Sequence, residues 1–419
     1  ALERDLPHYR GKKDFEESHR IANIGWSSYF VLSIFSSLLL GVVSFMMRGQ
    51  LFLSVLVGLY LLSEKFFRAY DTDSRIRFQY VNNGISDLLS ALSSLGIIWI
   101  LLPKFGIYGI FIGLTLASLL SAYFLSRKFR LEFHWHFNVH ETFAIIKVAV
   151  PLAIMVYAIE LFHATALTIL ALRFDETTLG YFAFAFRIFQ IFLAIFPYFI
   201  QELMRARMYY QIAQTKDQGS HWQHLASPIM MYGFITALFW LSLYWWADWG
   251  IFLIAPVYTD TIFAVKILSL TLLPLGILKI FSDYLCSRLY NKTRLVVLSW
   301  ILGIVLQSAL LSMGILNPQN ILIKVPIIYL VSTLLIFVLV VGASFRMKEY
   351  VFKSLSRVLF LFFPLFIGCT VIFLLKSFFQ YAPSRDFGDN VFPFVYSVII
   401  TFFVGLGAIR FTRSKIFAS

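Results

Sequence analysis

Leu179–Arg205 reads LGYFAFAFRIFQIFLAIFPYFIQELMR. At about 20 residues per crossing, it is long enough to span a bilayer as a helix. Inside its apolar run sits one charge, Arg187. A rise of about 1.5 Å per residue puts that guanidinium about 14 Å into a hydrocarbon core about 30 Å thick, close to the midplane. Residues three and four apart share a helix face. One face reads Gly180, Ala183, Arg187, Gln190, Ala194, Tyr198, Gln201, Arg205, and the other Phe182, Phe189, Phe192, Phe196, Phe199. The first face is small and polar. The second is aromatic and suits lipid. A mid-membrane charge costs at least about 2.5 kcal/mol and marks a protein-lined pathway by default. The remaining helices are therefore expected to wall a cavity.

The composition agrees. The chain has 419 residues, 59% of them hydrophobic and only 14% charged, with a mean hydropathy of +0.79. That is an all-α, polytopic membrane protein rather than a soluble domain. The formal net charge of +13 does not point to nucleic acid, because the basic residues gather in alternate loops. Cys286 and Cys369 offer neither a disulfide framework nor a Cys metal site.

About twelve spans are predicted, near residues 24–47, 51–71, 79–102, 106–127, 147–172, 178–204, 227–254, 260–286, 294–316, 321–345, 355–380 and 390–411. In the fourth, Gly109, Gly113, Ala117 and Ser121 form a small-residue packing face. Of the Lys and Arg between spans, alternate loops hold about four for every one in the intervening loops. The positive-inside rule makes the richer set cytoplasmic, with both ends of the chain on that side.

The polar opening LERDLPHYRGKKDFEESHRI is followed by four spans. So is the polar stretch QELMRARMYYQIAQTKDQGSHW after the Arg187 helix. Two spans precede the second stretch and none the first. The pattern predicts two pseudo-repeat lobes and a terminal helix pair: residues 1–140 with four helices, 141–350 with six, and 351–419 with two. On this reading the opening is an interhelical loop and the first lobe lacks its initial helix pair. Repeats with a site at their interface are a common transporter plan.

Three stretches carry a family resemblance. The opening, with its Tyr-Arg-Gly-Lys-Lys turn, resembles the loop after the second helix of bacterial polysaccharide flippases. Val148–Pro151 followed by DETTLGYFAFAFR (175–187) resembles the start of their second lobe. FGIYGIFIGLTLAS (105–118) resembles their sixth helix. The family is the Wzx-type oligosaccharide flippases, within the multidrug/oligosaccharidyl-lipid/polysaccharide exporter superfamily. The resemblance implies transfer of an undecaprenyl-pyrophosphate-linked oligosaccharide across a bacterial inner membrane by alternating access. The expected partners are that lipid-linked substrate, membrane lipid and a coupling ion, H+ or Na+. No cofactor is called for.

Arg187 is the first candidate for the substrate cavity, since the planar guanidinium fork suits a pyrophosphate. Gln190 lies one turn further on the same face. The preceding span places Tyr157, Glu160 and His163 along one face, with His163 level with Arg187 and Glu160 about a turn deeper. Two readings compete: phosphate binding by Arg187, or a buried Arg187–Glu160 ion pair. Glu160 and His163 also suit a relay that couples transport to an ion. A gate or vestibule is the functional reading of Glu64, Lys65, Arg68 and Asp87, and of the i,i+4 pair Lys279 and Asp283. Charges that neutralise one another or reach to the interface are the plainer reading. Lys266 is expected to snorkel. His134, His136, His140 and Glu141 resemble a metal cluster but lack a closed ligand spacing.

Two rivals remain. A cation-coupled drug antiporter of the same superfamily would have an acid-dominated cavity, which Arg187 argues against. A polysaccharide polymerase or glycosyltransferase would need a sizeable outward loop. The longest, near 380–390, offers only Asp386 and Asp389, so no enzyme is expected.

Overall fold

The computed structural model describes residues 2–131, 133–194, 199–214, 247–248, 250–288, 290–313 and 320–345. The spans expected at 355–380 and 390–411, and most of that at 227–254, lie outside the described residues. The described residues are helical almost throughout and contain no strand. The helices are α1 (Leu2–Gly11), α2 (Phe15–Arg48), α3 (Leu51–Ile76), α4 (Tyr80–Phe105), α5 (Ile107–Lys128), α6 (Val139–Arg173), α7 (Glu176–Leu193) and α8 (Phe199–Gln214). A 3₁₀ turn (Pro256–Thr261) leads into α9 (Ile262–Leu270), α10 (Leu272–Leu285), α11 (Thr293–Ser312) and α12 (Ile321–Phe345).

Among the described residues, seven helical stretches are long and apolar enough to cross a membrane. α3 and α7 are not among them. Glu64, Lys65 and Arg68 interrupt the apolar run of α3, and α7 has 18 residues that include Glu176 and Arg187. The span expected at 260–286 is divided at Thr271, between α9 and α10. Pro274 accounts for the break, because it has no N–H to offer the Leu270 carbonyl.

The chain separates into two compact units. The first takes Ala1–Val150 and Glu202–Lys216, and the second Pro151–Gln201 and Asp217–Ser419. The division falls at Pro151, inside α6. From Glu202 to Lys216, the polar stretch that follows the Arg187 helix belongs to the first unit.

The first unit begins with a helix where the sequence reading had an interhelical loop. α1 is polar yet leaves no residue exposed, with Arg4, Asp5 and His8 themselves buried, and its apolar side places Leu6, with no exposed surface, among Ala22, Trp26, Ala69 and Ile76. Burying that apolar side is what makes a helix of so short and polar a stretch. Asp14 caps α2, accepting from the Glu17 N–H at 3.2 Å. α4 and α5 form a tight hairpin at Gly106, which has φ +56. Gly109, Gly113, Ala117 and Ser121 are all buried, as the small-residue face predicts. A Cβ on Gly109 would come 2.6 Å from the Leu101 carbonyl oxygen, so α5 approaches α4 to backbone contact there.

α8 lies beside α1. Arg205 donates to Glu3 at 2.9 Å. Gly11 abuts the Tyr210 carbonyl, and a Cβ there would sit 2.9 Å from that of Ala213. Glu3 with Arg205 and Gly11 with Ala213 each join residues 202 apart, so the two helices run side by side in the same direction. Burial alone would raise the Glu3 carboxyl, but Arg205, with Arg75 beyond it, outweighs burial and holds it below the ordinary carboxylate range.

The second unit is built around α10, in which every residue but Leu273 and Lys279 is buried. α12 packs on α9, α10 and α11, and α7 on α9 and α12. The core is aromatic. Phe162, Phe182, Phe186, Phe189, Trp300 and Tyr329 are all essentially inaccessible.

Candidate functional site

α7 starts at a well-made cap. Asp175 accepts the Thr178 hydroxyl at 2.6 Å and its N–H at 3.3 Å, and these bonds hold its carboxyl below the ordinary range. One face then carries Phe182, Phe186 and Phe189. This face is core, not lipid contact as the sequence suggested. All three side chains have no exposed surface, and Phe186 and Phe189 each meet the Tyr329 ring at 5.7 Å. On the opposite face Gly180, Ala183 and Gln190 are half-buried and Arg187 is exposed. Arg187 therefore points away from the packed interior of its own unit. Its Nη1 donates to Gln190 Oε1 at 3.2 Å.

On α6, Tyr157 is 73% exposed and Glu160 is exposed, whereas His163 is 4% exposed. Three residues turn a helix about 300°, enough to carry His163 off the Glu160 face when the boundary of the core falls between them. The sequence grouping of Glu160, His163 and Arg187 is thus divided. His163 Nδ1 bonds the Tyr329 hydroxyl and lies within electrostatic reach of Lys279. Among the described residues no ion pair joins Glu160 to Arg187; Arg187 is bonded to Gln190. Asp283 is buried at the foot of α10 and Lys279 is half-buried one turn before it. Lys266 does not snorkel. Its ammonium donates to both carboxylate oxygens of Asp248 at 2.7 Å, a partner 18 residues earlier that balances a charge otherwise costly to bury.

In the first unit the predicted vestibule residues join a chain of ion pairs along α3. Arg68 meets Glu64 at 3.4 Å and Asp71 at 3.5 Å, Arg75 meets Asp71 at 2.8 Å, and Arg77 meets Asp73 at 2.7 Å. Asp87 on α4 is exposed and within electrostatic reach of Arg68. Lys65 contributes its carbonyl to the Tyr29 hydroxyl at 3.0 Å. The plainer reading of Glu64 and Arg68, mutual neutralisation, describes their contact. Asp71 and Asp73, each 2% exposed, were not picked out from the sequence. Their i,i+4 spacing to Arg75 and Arg77 in DTDSRIR was the available signal.

The histidine loop has another role. His134 and His136 give their backbone N–H groups to Asn23 and Ser27 of α2, at 2.7 and 2.9 Å. His136 Nε2 also meets Glu141 at 3.2 Å, and Glu141 meets Arg20 at 3.3 Å. The cluster fastens the loop to α2. Among the described residues no group of three His, Cys, Asp or Glu is placed to hold a metal ion.

No protein-family model matches this sequence, and no curated protein matches it. Solved structures do share its fold. The chain is similar to a point mutant of the Vibrio cholerae MATE transporter VcmN, at TM-score 0.69 and 13% identity over 84% of each chain. It is similar to the lipid II flippase MurJ in an inward closed conformation, at TM-score 0.59 and 14% identity, over 99% of this chain and 90% of that one. A eukaryotic MATE transporter matches at TM-score 0.62 and 14% identity over 85% of each. The fold is thus the all-α, polytopic fold of the MATE transporters and MurJ, and the chain is a multi-pass membrane protein.

Proposed function

We propose that this chain is a flippase for a lipid-linked oligosaccharide, moving an undecaprenyl-pyrophosphate-bound glycan from the cytoplasmic to the periplasmic leaflet of a bacterial inner membrane by alternating access. The observation that carries the reading is Arg187. It turns away from its own unit's core and bonds a neutral amide, Gln190, rather than Glu160, and on the sequence reading it lies at membrane depth. An intramembrane charge needs compensation, and a pyrophosphate supplies two anionic groups that a guanidinium binds with parallel hydrogen bonds. Tyr157 and Glu160, exposed on α6, and Gln190, half-buried on α7, would meet polar parts of the substrate. Flipping needs no covalent chemistry and no cofactor. A coupling ion, H+ or Na+, would supply the driving force. Supporting the same reading, one of the solved structures sharing the fold is a lipid II flippase. The MATE likeness keeps a drug antiporter as the alternative, but a cation on the substrate face favours an anionic cargo.

The test uses cells deleted for their own flippase and scores surface polysaccharide, with membrane protein level as the control. Arg187→Gln should abolish polysaccharide export. Arg187→Lys should retain part of it, since a point charge attracts phosphate without binding it bidentately. The double change Arg187→Gln with Glu160→Gln should remain inactive. A fully active double mutant would make Arg187 the partner of Glu160 and remove it from the substrate site.

A further inference from the structure

We infer that the second unit holds an internal water site between α11 and α12, built by Gln307 and Ser332. Trp300, Gly303, Gln307 and Leu311 follow helical spacing along one face of α11, and all are buried. At Gly303 that face touches Ile336 of α12. α11 and α12 are consecutive spans, so they run antiparallel. Gln307 lies one turn beyond Gly303, and Ser332 lies one turn before Ile336. Both steps lead the same way along the helix pair, so amide and hydroxyl sit on the same side of the contact.

Gln307 and Ser332 have no exposed surface. Neither end of the Gln307 amide nor Ser332 Oγ meets a hydrogen-bond partner in the protein. Hydroxyls on these two helices ordinarily have one. Ser299 returns its hydroxyl to the Leu295 carbonyl at 3.0 Å, and Thr333 to Tyr329 at 2.8 Å. Ser332 does not. Buried polar groups are almost always satisfied, and such exceptions call for an occupant.

The donor and acceptor inventory identifies the occupant. Gln307 presents two N–H donors and an acceptor oxygen, and Ser332 a hydroxyl that serves as either. Water accepts from the amide N–H while donating to Oε1 or Oγ, and buried water typically makes about three such bonds. A metal cation would satisfy only the oxygens and leave every N–H unbonded, and no carboxylate belongs to the set. The site takes a neutral ligand that both donates and accepts. Gly303 and Ser332 are the small residues at this crossing and leave the backbones close.

Radiolytic hydroxyl-radical labelling of the full chain in lipid nanodiscs tests the inference, because radicals form from water held in place and mark the side chain beside it. Leu6 is the control, with no exposed surface and packed in an apolar cluster. Leu311, buried one turn beyond Gln307 on the same face, should label several-fold faster than Leu6, and the excess should be lost in Gln307→Leu. Ser332→Ala, a milder change, should reduce it as well and serves if Gln307→Leu does not fold. Equal, slow labelling of Leu311 and Leu6 would overturn the inference. So would a thermal stabilisation specific to sodium chloride over choline chloride that disappears in Ser332→Ala, because that result assigns the position to a cation.

Discussion

At the scale of single residues, Glu3 shows how charge is managed outside the membrane. Its carboxylate is held below the ordinary range by Arg205 and Arg75 against the opposing effect of burial. A lowered carboxyl contributes stability that is fully present above its unfolded value, about 4.3. That contribution is lost as pH falls through the lower, folded value. Thermal unfolding of Glu3→Gln should therefore show a deficit against the wild type near neutrality that closes on acidification. The pair keeps side-chain exposures of 25% and 32%, so its coupling in a double-mutant cycle with Arg205→Ala should be no more than about 1 kcal/mol. A deficit that stays constant with pH would show that Glu3 acts through packing.

At the scale of elements, the contact of α1 with α8 is the informative one. These are the two polar stretches that the sequence pairs as repeats, and they pack against each other. Gly11 is fixed by that contact, because its space is taken by the backbone of Tyr210, which cannot swing aside as a side chain can. Gly11→Ala should cost about 1–3 kcal/mol of stability, the usual cost of overpacking. Limited proteolysis should cut near Lys12 and Lys13 faster in that variant. Gly303 meets the tip of Ile336 instead, a flexible end that can turn away, so Gly303→Ala should cost less than Gly11→Ala. The opposite order would mean that α1 is not docked on α8.

At the scale of the molecule, the basic loops make a prediction about sidedness. In a variant lacking Cys286 and Cys369, single cysteines at Lys12 and at His134 should be shielded from an impermeant thiol reagent in intact cells. Cysteines at Asp175 and Asp260 should react. Asp175 and Asp260 are exposed in the second unit, the former capping α7 and the latter in the turn before α9. Labelling at His134 from outside would invert the orientation drawn from the positive-inside rule.

The membrane-spanning character, the all-α class and the small-residue face of α5 were legible in the sequence. Each follows from composition or from periodicity along one segment, and neither needs a partner to be known. The lining of α7 was not. Phenylalanine is as much at home against lipid as in a protein interior, because the hydrocarbon tails are as apolar as the core. Only the packing of Phe186 and Phe189 on Tyr329 decided which side of that helix faces inward. The same holds for His163, whose partner lies 166 residues away, and for Glu3, whose partner lies 202 residues away. A local pattern determines where a charge sits along a helix, and the tertiary structure decides what that charge meets.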